Sequence, residues 1–210
     1  MPLLRIIFTF IATSLITGFG YGAASVATLP ASVKRVVILG DSITYAGTYV
    51  TYLEAYFRTR HPERNLEFIN VGLPSETVSG LSEPDHAKGQ FPRPVLKERL
   101  HRVLEATRPD YVIACYGMND GIYLPFTTER FQAFQAGILE LKKSVEQRGS
   151  GFLLVTPPNY DAKGDSANSY NEVLARYGAW QLEQRKLGWQ VVDLNGPMTE
   201  ELASRRKTNP

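Results

Sequence analysis

Residues 36–47 read VVILGDSITYAG: four apolar side chains run straight into Gly40-Asp41-Ser42, after which the chain turns polar and small. Aliphatic and β-branched residues without alternation describe a strand covered on both faces, the kind found in parallel sheets flanked by helices. Ser42 then stands at the carboxyl end of that strand. In open α/β sheets this edge is where ligands bind, which favours a chemical role. The structural competitor is a serine N-cap on the following helix.

The pattern recurs along the chain. Apolar runs at Leu66–Val71, Tyr111–Cys115, Phe152–Thr156 and Gln190–Leu194 alternate with stretches of helical period. Phe131, Phe134, Ile138, Leu141 and Val145 step by three and four, as do Val50, Leu53 and Phe57. Leu96, Leu100, Val103 and Leu104 form a helix between Pro94 and Pro109. Tyr170, Val173, Tyr177 and Trp180 form another, ending near Gly188. Such alternation predicts an α/β fold, a three-layer α/β/α sandwich around a five-stranded parallel sheet with right-handed crossovers. The longest irregular segment, Gly72 to Pro94, leaves the second strand at the same carboxyl edge.

With 210 residues, 43% of them apolar, the chain suits one core, and we read residues 28–210 as a single domain. The formal charge is only +2 and is scattered, which excludes a nucleic-acid partner. Residues 1–27 carry one Arg, an apolar run and then small residues, the pattern of a signal peptide cleaved after Ala24 or Ala27. The expected location is therefore secreted or periplasmic, without stable membrane insertion after cleavage; an uncleaved N-terminal anchor is the alternative. The single Cys115, inside YVIACYG, suits a buried thiol. No His, Cys and carboxylate cluster has metal-ligand spacing, and GDSITYAG supplies no phosphate-binding glycine loop, so neither metal nor cofactor is expected. A haloacid-dehalogenase-type phosphatase needs a second aspartate two residues after Asp41, where Ile43 stands.

The first three strand ends carry GDSIT (Gly40–Thr44), NVGLPSET (Asn70–Thr77) and YGMND (Tyr116–Asp120). In letters, order and placement these blocks resemble the SGNH, or GDSL-type, hydrolases. The resemblance implies the flavodoxin-like fold of that family, with Ser42 as nucleophile. It also implies three oxyanion donors: the Ser42 N–H, the Gly72 N–H and the Asn119 carboxamide. The chemistry demands such groups. A serine hydroxyl attacks an ester carbonyl only when exposed and relieved of its proton, and the resulting oxyanion wants donors fixed in advance. Each has a structural competitor: Gly72 as a turn residue, Asn119 as a side chain closing its own loop. Asp41 braces the turn, Ile43 faces the core, and Tyr45, Tyr116, Tyr123 and Phe126 stand where sugar rings stack.

The family's base lies in an Asp-x-x-His block after the fifth strand, whereas the last histidine here is His101. His61 and His101 fall on exposed positions. His86, near Glu83 and Asp85, is the one histidine in a loop at the correct edge. The expectation is a serine ester hydrolase working through an acyl-enzyme, deacetylating carbohydrate or cleaving short-chain acyl esters, and represented by a C-terminally incomplete, nearly inactive chain. Its competitor is a secreted carbohydrate-binding relative with the same fold and no turnover.

Overall fold

The computed structural model describes residues 29–160 and 165–208, so the expected leader lies outside the described residues. Strand β1 (Arg35–Gly40) carries the opening stretch through the molecular centre, and Val36, Val37, Ile38 and Leu39 are all 0% exposed. It is followed by α1 (Ser42–Tyr45), α2 (Thr48–Arg60), β2 (Glu67–Asn70), α3 (Leu96–Thr107), β3 (Tyr111–Cys115) and α4 (Thr128–Glu146). Strand β4 (Gly151–Val155), α5 (Asp165–Glu183), β5 (Gln190–Val192) and α6 (Asn195–Thr208) complete the order. All pairings are parallel and the sheet order is β2-β1-β3-β4-β5. The order reverses direction between β1 and β3, where Gly40 pairs with Cys115. Such a switch point opens a crevice at the carboxyl rim, and both Ser42 and Asn119 follow strands that flank it.

Alternate residues of β1 serve opposite faces. Val37 and Leu39 pack with Leu100 of α3, Phe134 and Ile138 of α4, and Leu174 and Tyr177 of α5. Val36 and Ile38 pack with Val50 of α2, joined by the half-buried Leu53 and Phe57. Each fully buried aliphatic side chain contributes roughly 1.5–3 kcal/mol, so the helical stripes legible in the sequence are what hold the three layers together. No helix among the described residues is long and apolar enough to cross a membrane.

Two differences from the expectations have local causes. Helix α1 spans four residues, too few to show a period, and its N-cap is Asp41 rather than Ser42. Strand β5 stops at Val192 instead of Leu194, because the Thr156 hydroxyl accepts the N–H groups of Leu194 and Asn195 and turns the chain into α6. Asp193 Oδ1 then accepts the Gly196 N–H at 3.0 Å at the start of α6.

Candidate active site

The serine loop is built by close packing. A Cβ on Gly40 would lie 2.1 Å from Thr44 Oγ1 and 2.9 Å from the Cys115 carbonyl oxygen, so only glycine lets the chain turn there. Asp41 is buried and its Oδ1 accepts the Ile43 N–H at 3.0 Å, which is the bracing role expected of it. Burial pushes its carboxyl up to about 6; the Ile43 N–H opposes this, while Asp120 and Glu76 nearby reinforce it. Ser42, one residue on, is exposed, and no other described residue hydrogen-bonds its N–H or hydroxyl. Ile43 does not face the core as expected: it is 38% exposed, because α1 turns it outward beside Ser42.

Gly72 lies directly against this turn. A Cβ there would sit 2.4 Å from Tyr45 N and 2.8 Å from Thr44 C, so the position is glycine for contact reasons and is more than a strand-ending turn. Val71 and Leu73 donate to β1 carbonyls, and the Gly72 N–H turns the other way, donating to Asn70 Oδ1 at 2.9 Å. Asn70 Nδ2 in turn donates to Thr44 O at 2.7 Å, so this side chain staples the end of β2 to α1. Asn70 was not singled out from the sequence, and its position two residues before the close-contact glycine is the signal that locates it.

Asn119, 3% exposed, does not close its own loop onto the backbone. Its Nδ2 donates to Glu76 O at 3.3 Å in the preceding loop, and its Oδ1 accepts from Arg93 Nη1 at 3.0 Å and from the Tyr123 hydroxyl at 3.2 Å. Tyr123 and its neighbour Ile122 both have positive φ (55° and 47°), strained for side chains of this size. That strain is held where it keeps the tyrosine hydroxyl on Asn119. Next in the chain, Asp120 Oδ1 accepts the N–H groups of Val78 and Ser79, while its Oδ2 is buried without a partner among the described residues. Burial pushes this carboxyl up to about 6 against the opposing pull of those N–H groups.

The segment from Gly72 to Pro94 is tied down by charges that the sequence did not reveal. Glu76, 0% exposed, binds Arg99 Nη2 at 2.7 Å and accepts the Tyr116 hydroxyl at 2.6 Å. Tyr116 is therefore buried and unavailable for stacking on a sugar, whereas Tyr45 and Tyr123 are exposed at the rim and Phe126 packs half-buried against Phe131 and Arg176. Arg93, 6% exposed, holds Glu83 with Nε at 2.7 Å and Nη2 at 2.6 Å. Partial burial raises the Glu83 carboxyl, but the hydrogen bonds and charge of Arg93 outweigh it and the net direction is down.

Glu83 thus serves Arg93 and does not orient His86, whose Nδ1 faces Phe91 O at 3.0 Å. His101 is exposed beside Glu105, as expected, whereas His61, beside Glu63, is half-buried against Tyr56 and Phe57. None of the three hydrogen-bonds to Ser42 among the described residues. Cys115 is buried and free, its thiol pushed up by burial first and the Asp41 charge second, which leaves it inert.

An exposed serine at the end of β1, with a close-packed glycine and a buried asparagine at the ends of the two strands that flank it, defines a class of α/β ester hydrolases. The model of the GDSL-like lipase/acylhydrolase family matches residues 38–208, and the chain belongs to that family of ester-hydrolysing enzymes. An acetylxylan esterase from Geobacillus stearothermophilus is 23% identical over 166 residues, covering 69% of this chain and 68% of that protein. The crystal structure of acetylxylan esterase from the same organism superposes with a TM-score of 0.56 at 21% identity, covering 81% of this chain and 80% of the other. Solved catalytic mutants of that esterase replace a serine, an aspartate and a histidine. A gut microbial diltiazem-metabolizing enzyme gives a TM-score of 0.66 at 22% identity; the match covers 88% of this chain but only 42% of that one.

Proposed function

We propose that the protein removes short acyl groups, acetyl foremost, from carbohydrate esters through an acyl-enzyme on Ser42. Ser42 Oγ attacks the ester carbonyl, the alcohol leaves, and water releases the acid from the serine ester. The Asn119 carboxamide and the N–H groups of Ser42 and Gly72 are the donors for the oxyanion. To serve it, Gly72 must share the hydrogen it now gives to Asn70. The observation carrying this reading is an exposed serine, unpartnered among the described residues, after β1 and a buried carboxamide after the adjacent β3, whose oxygen is already occupied by donors. The preference for acetylated carbohydrate is supported by the acetylxylan esterase relative and by the exposed Tyr45 and Tyr123 at the rim.

One observation favours a second reading, a carbohydrate-binding relative without turnover: no described histidine is bonded to Ser42. Acetate release from acetylated xylo-oligosaccharides, measured on the protein produced from its own gene, separates the two. Release that Ser42→Ala lowers at least about a thousandfold, with oligosaccharide binding retained, is the outcome for an esterase. Binding without release, unchanged in Ser42→Ala, is the outcome for a binding protein.

A further inference from the structure

We propose that Arg93 is a positioning residue that sets the orientation of the Asn119 carboxamide and thereby makes it an oxyanion donor; this rests on the role given to Asn119 under the proposed function. A carboxamide has an acceptor end and a donor end of nearly equal size, and only its partners decide which way it points. A guanidinium has five donors and no acceptor. Arg93 Nη1, 3.0 Å from Asn119, can therefore be faced only by the carboxamide oxygen, and the Tyr123 hydroxyl donates to the same atom. The NH2 group must then point away from Arg93, where one hydrogen makes a single long bond of 3.3 Å to Glu76 O and the second is left for another acceptor. A cation on the carboxamide oxygen also draws electron density from the nitrogen, which strengthens the remaining N–H as a donor.

Arg93 does not bind substrate itself. It is 6% exposed, the paired donors of its fork are taken by Glu83, and the Tyr123 ring lies 5.4 Å from its guanidinium carbon. Pro92 and Pro94 restrict the backbone on either side, so the arginine is held before any substrate arrives. A buried ion pair contributes little net stability, which leaves conformational definition of the neighbouring amide as its physical consequence.

The test is a double-mutant cycle on the protein produced from its own gene, with 4-nitrophenyl acetate as substrate and Arg93→Met, Asn119→Ala and both together. Asn119→Ala should lower kcat on the order of a hundredfold. Arg93→Met should lower kcat about tenfold or more with KM unchanged, and the double variant should be no slower than Asn119→Ala alone. Losses that multiply, or a rise in KM alone, overturn the proposal, whereas an unaltered kcat in Asn119→Ala overturns the assignment beneath it. Should Arg93→Met not fold, Glu83→Met/Arg93→Met removes the pair together and should show the same kcat loss, whereas Arg93→Lys, still a cation with donors and no acceptor, should lose less. The side-chain amide hydrogens of Asn119, followed by NMR, are independent of turnover. Their chemical shifts should move and their exchange with water should speed up on loss of Arg93 while the backbone N–H groups of Val78 and Ser79 stay protected; no change in them contradicts the proposal.

Discussion

The two rims of the sheet use the same local device and obtain opposite electrostatics from it. At the amino rim, Asp110 Oδ2 accepts the N–H groups of Lys34 and Arg35, each at 2.8 Å. At the carboxyl rim, Asp120 Oδ1 accepts those of Val78 and Ser79 at 2.9 and 2.8 Å. Asp110 is exposed, and those two hydrogen bonds hold its carboxyl below the usual carboxylate range. Asp120 is 0% exposed, and burial overrides equivalent bonds, pushing it up to about 6. Desolvation therefore decides the sign. The ion pairs follow the same division. Arg35–Glu67 at the amino rim stands in solvent, with side chains 40% and 57% exposed, whereas Glu76 and Arg93 at the other rim are buried. The buried, raised carboxyls of Asp41 and Asp120 gather at the edge that carries Ser42, which supports the proposed site there.

The comparison is broken most easily at its deepest charge. Glu76→Gln leaves Arg99 without its carboxylate partner and should destabilise the fold by about 3–5 kcal/mol in urea denaturation. An effect under about 1 kcal/mol would place Glu76 in the same class as the amino-rim pairs.

Stability against pH sharpens it next. Asp41 and Asp120, both raised to about 6 from 3.8, bind a proton more tightly in the folded state. Their contribution is fully present below about pH 4 and is lost as pH rises through about 6, on the order of 3 kcal/mol for each. Asp120→Asn should flatten that decline, and should also ease Asp41 by removing a neighbouring negative charge. Asp110, shifted down, works in the opposite sense: its stabilisation is present at neutral pH and is lost on acidification, so Asp110→Asn should leave the decline between about pH 4 and pH 7 intact. Denaturation midpoints of the three proteins across that range check this.

Glu67→Gln, which removes the exposed amino-rim pair, should change stability by at most about 1 kcal/mol, and less in high salt.

How much of this the sequence revealed depends on the range of the interaction. Strands β1 and β3 and helices α3 and α4 were legible because burial on one or two faces imposes a period on neighbouring residues. The placement of Ser42, Gly72 and Asn119 after the first three strands was legible because each stands in a short motif that follows an apolar run. Glu76, Glu83, Arg93 and Arg99 were not, since their partners stand ten or more residues away along the chain, beyond any local pattern, and charged residues in such a stretch read as solvated. Ile43 and Tyr116 went the wrong way for a related reason: each lies just past a strand, where alternation no longer says which direction is inward.

The most direct measurement is a crystal structure of the protein after reaction with a phosphonate ester that mimics the tetrahedral intermediate. The account predicts phosphorus on Ser42 Oγ with a phosphoryl oxygen at about 3 Å from Asn119 Nδ2, the carboxamide oxygen still facing Arg93. A serine left unmodified, or an adduct whose phosphoryl oxygen points away from Asn119, would contradict it.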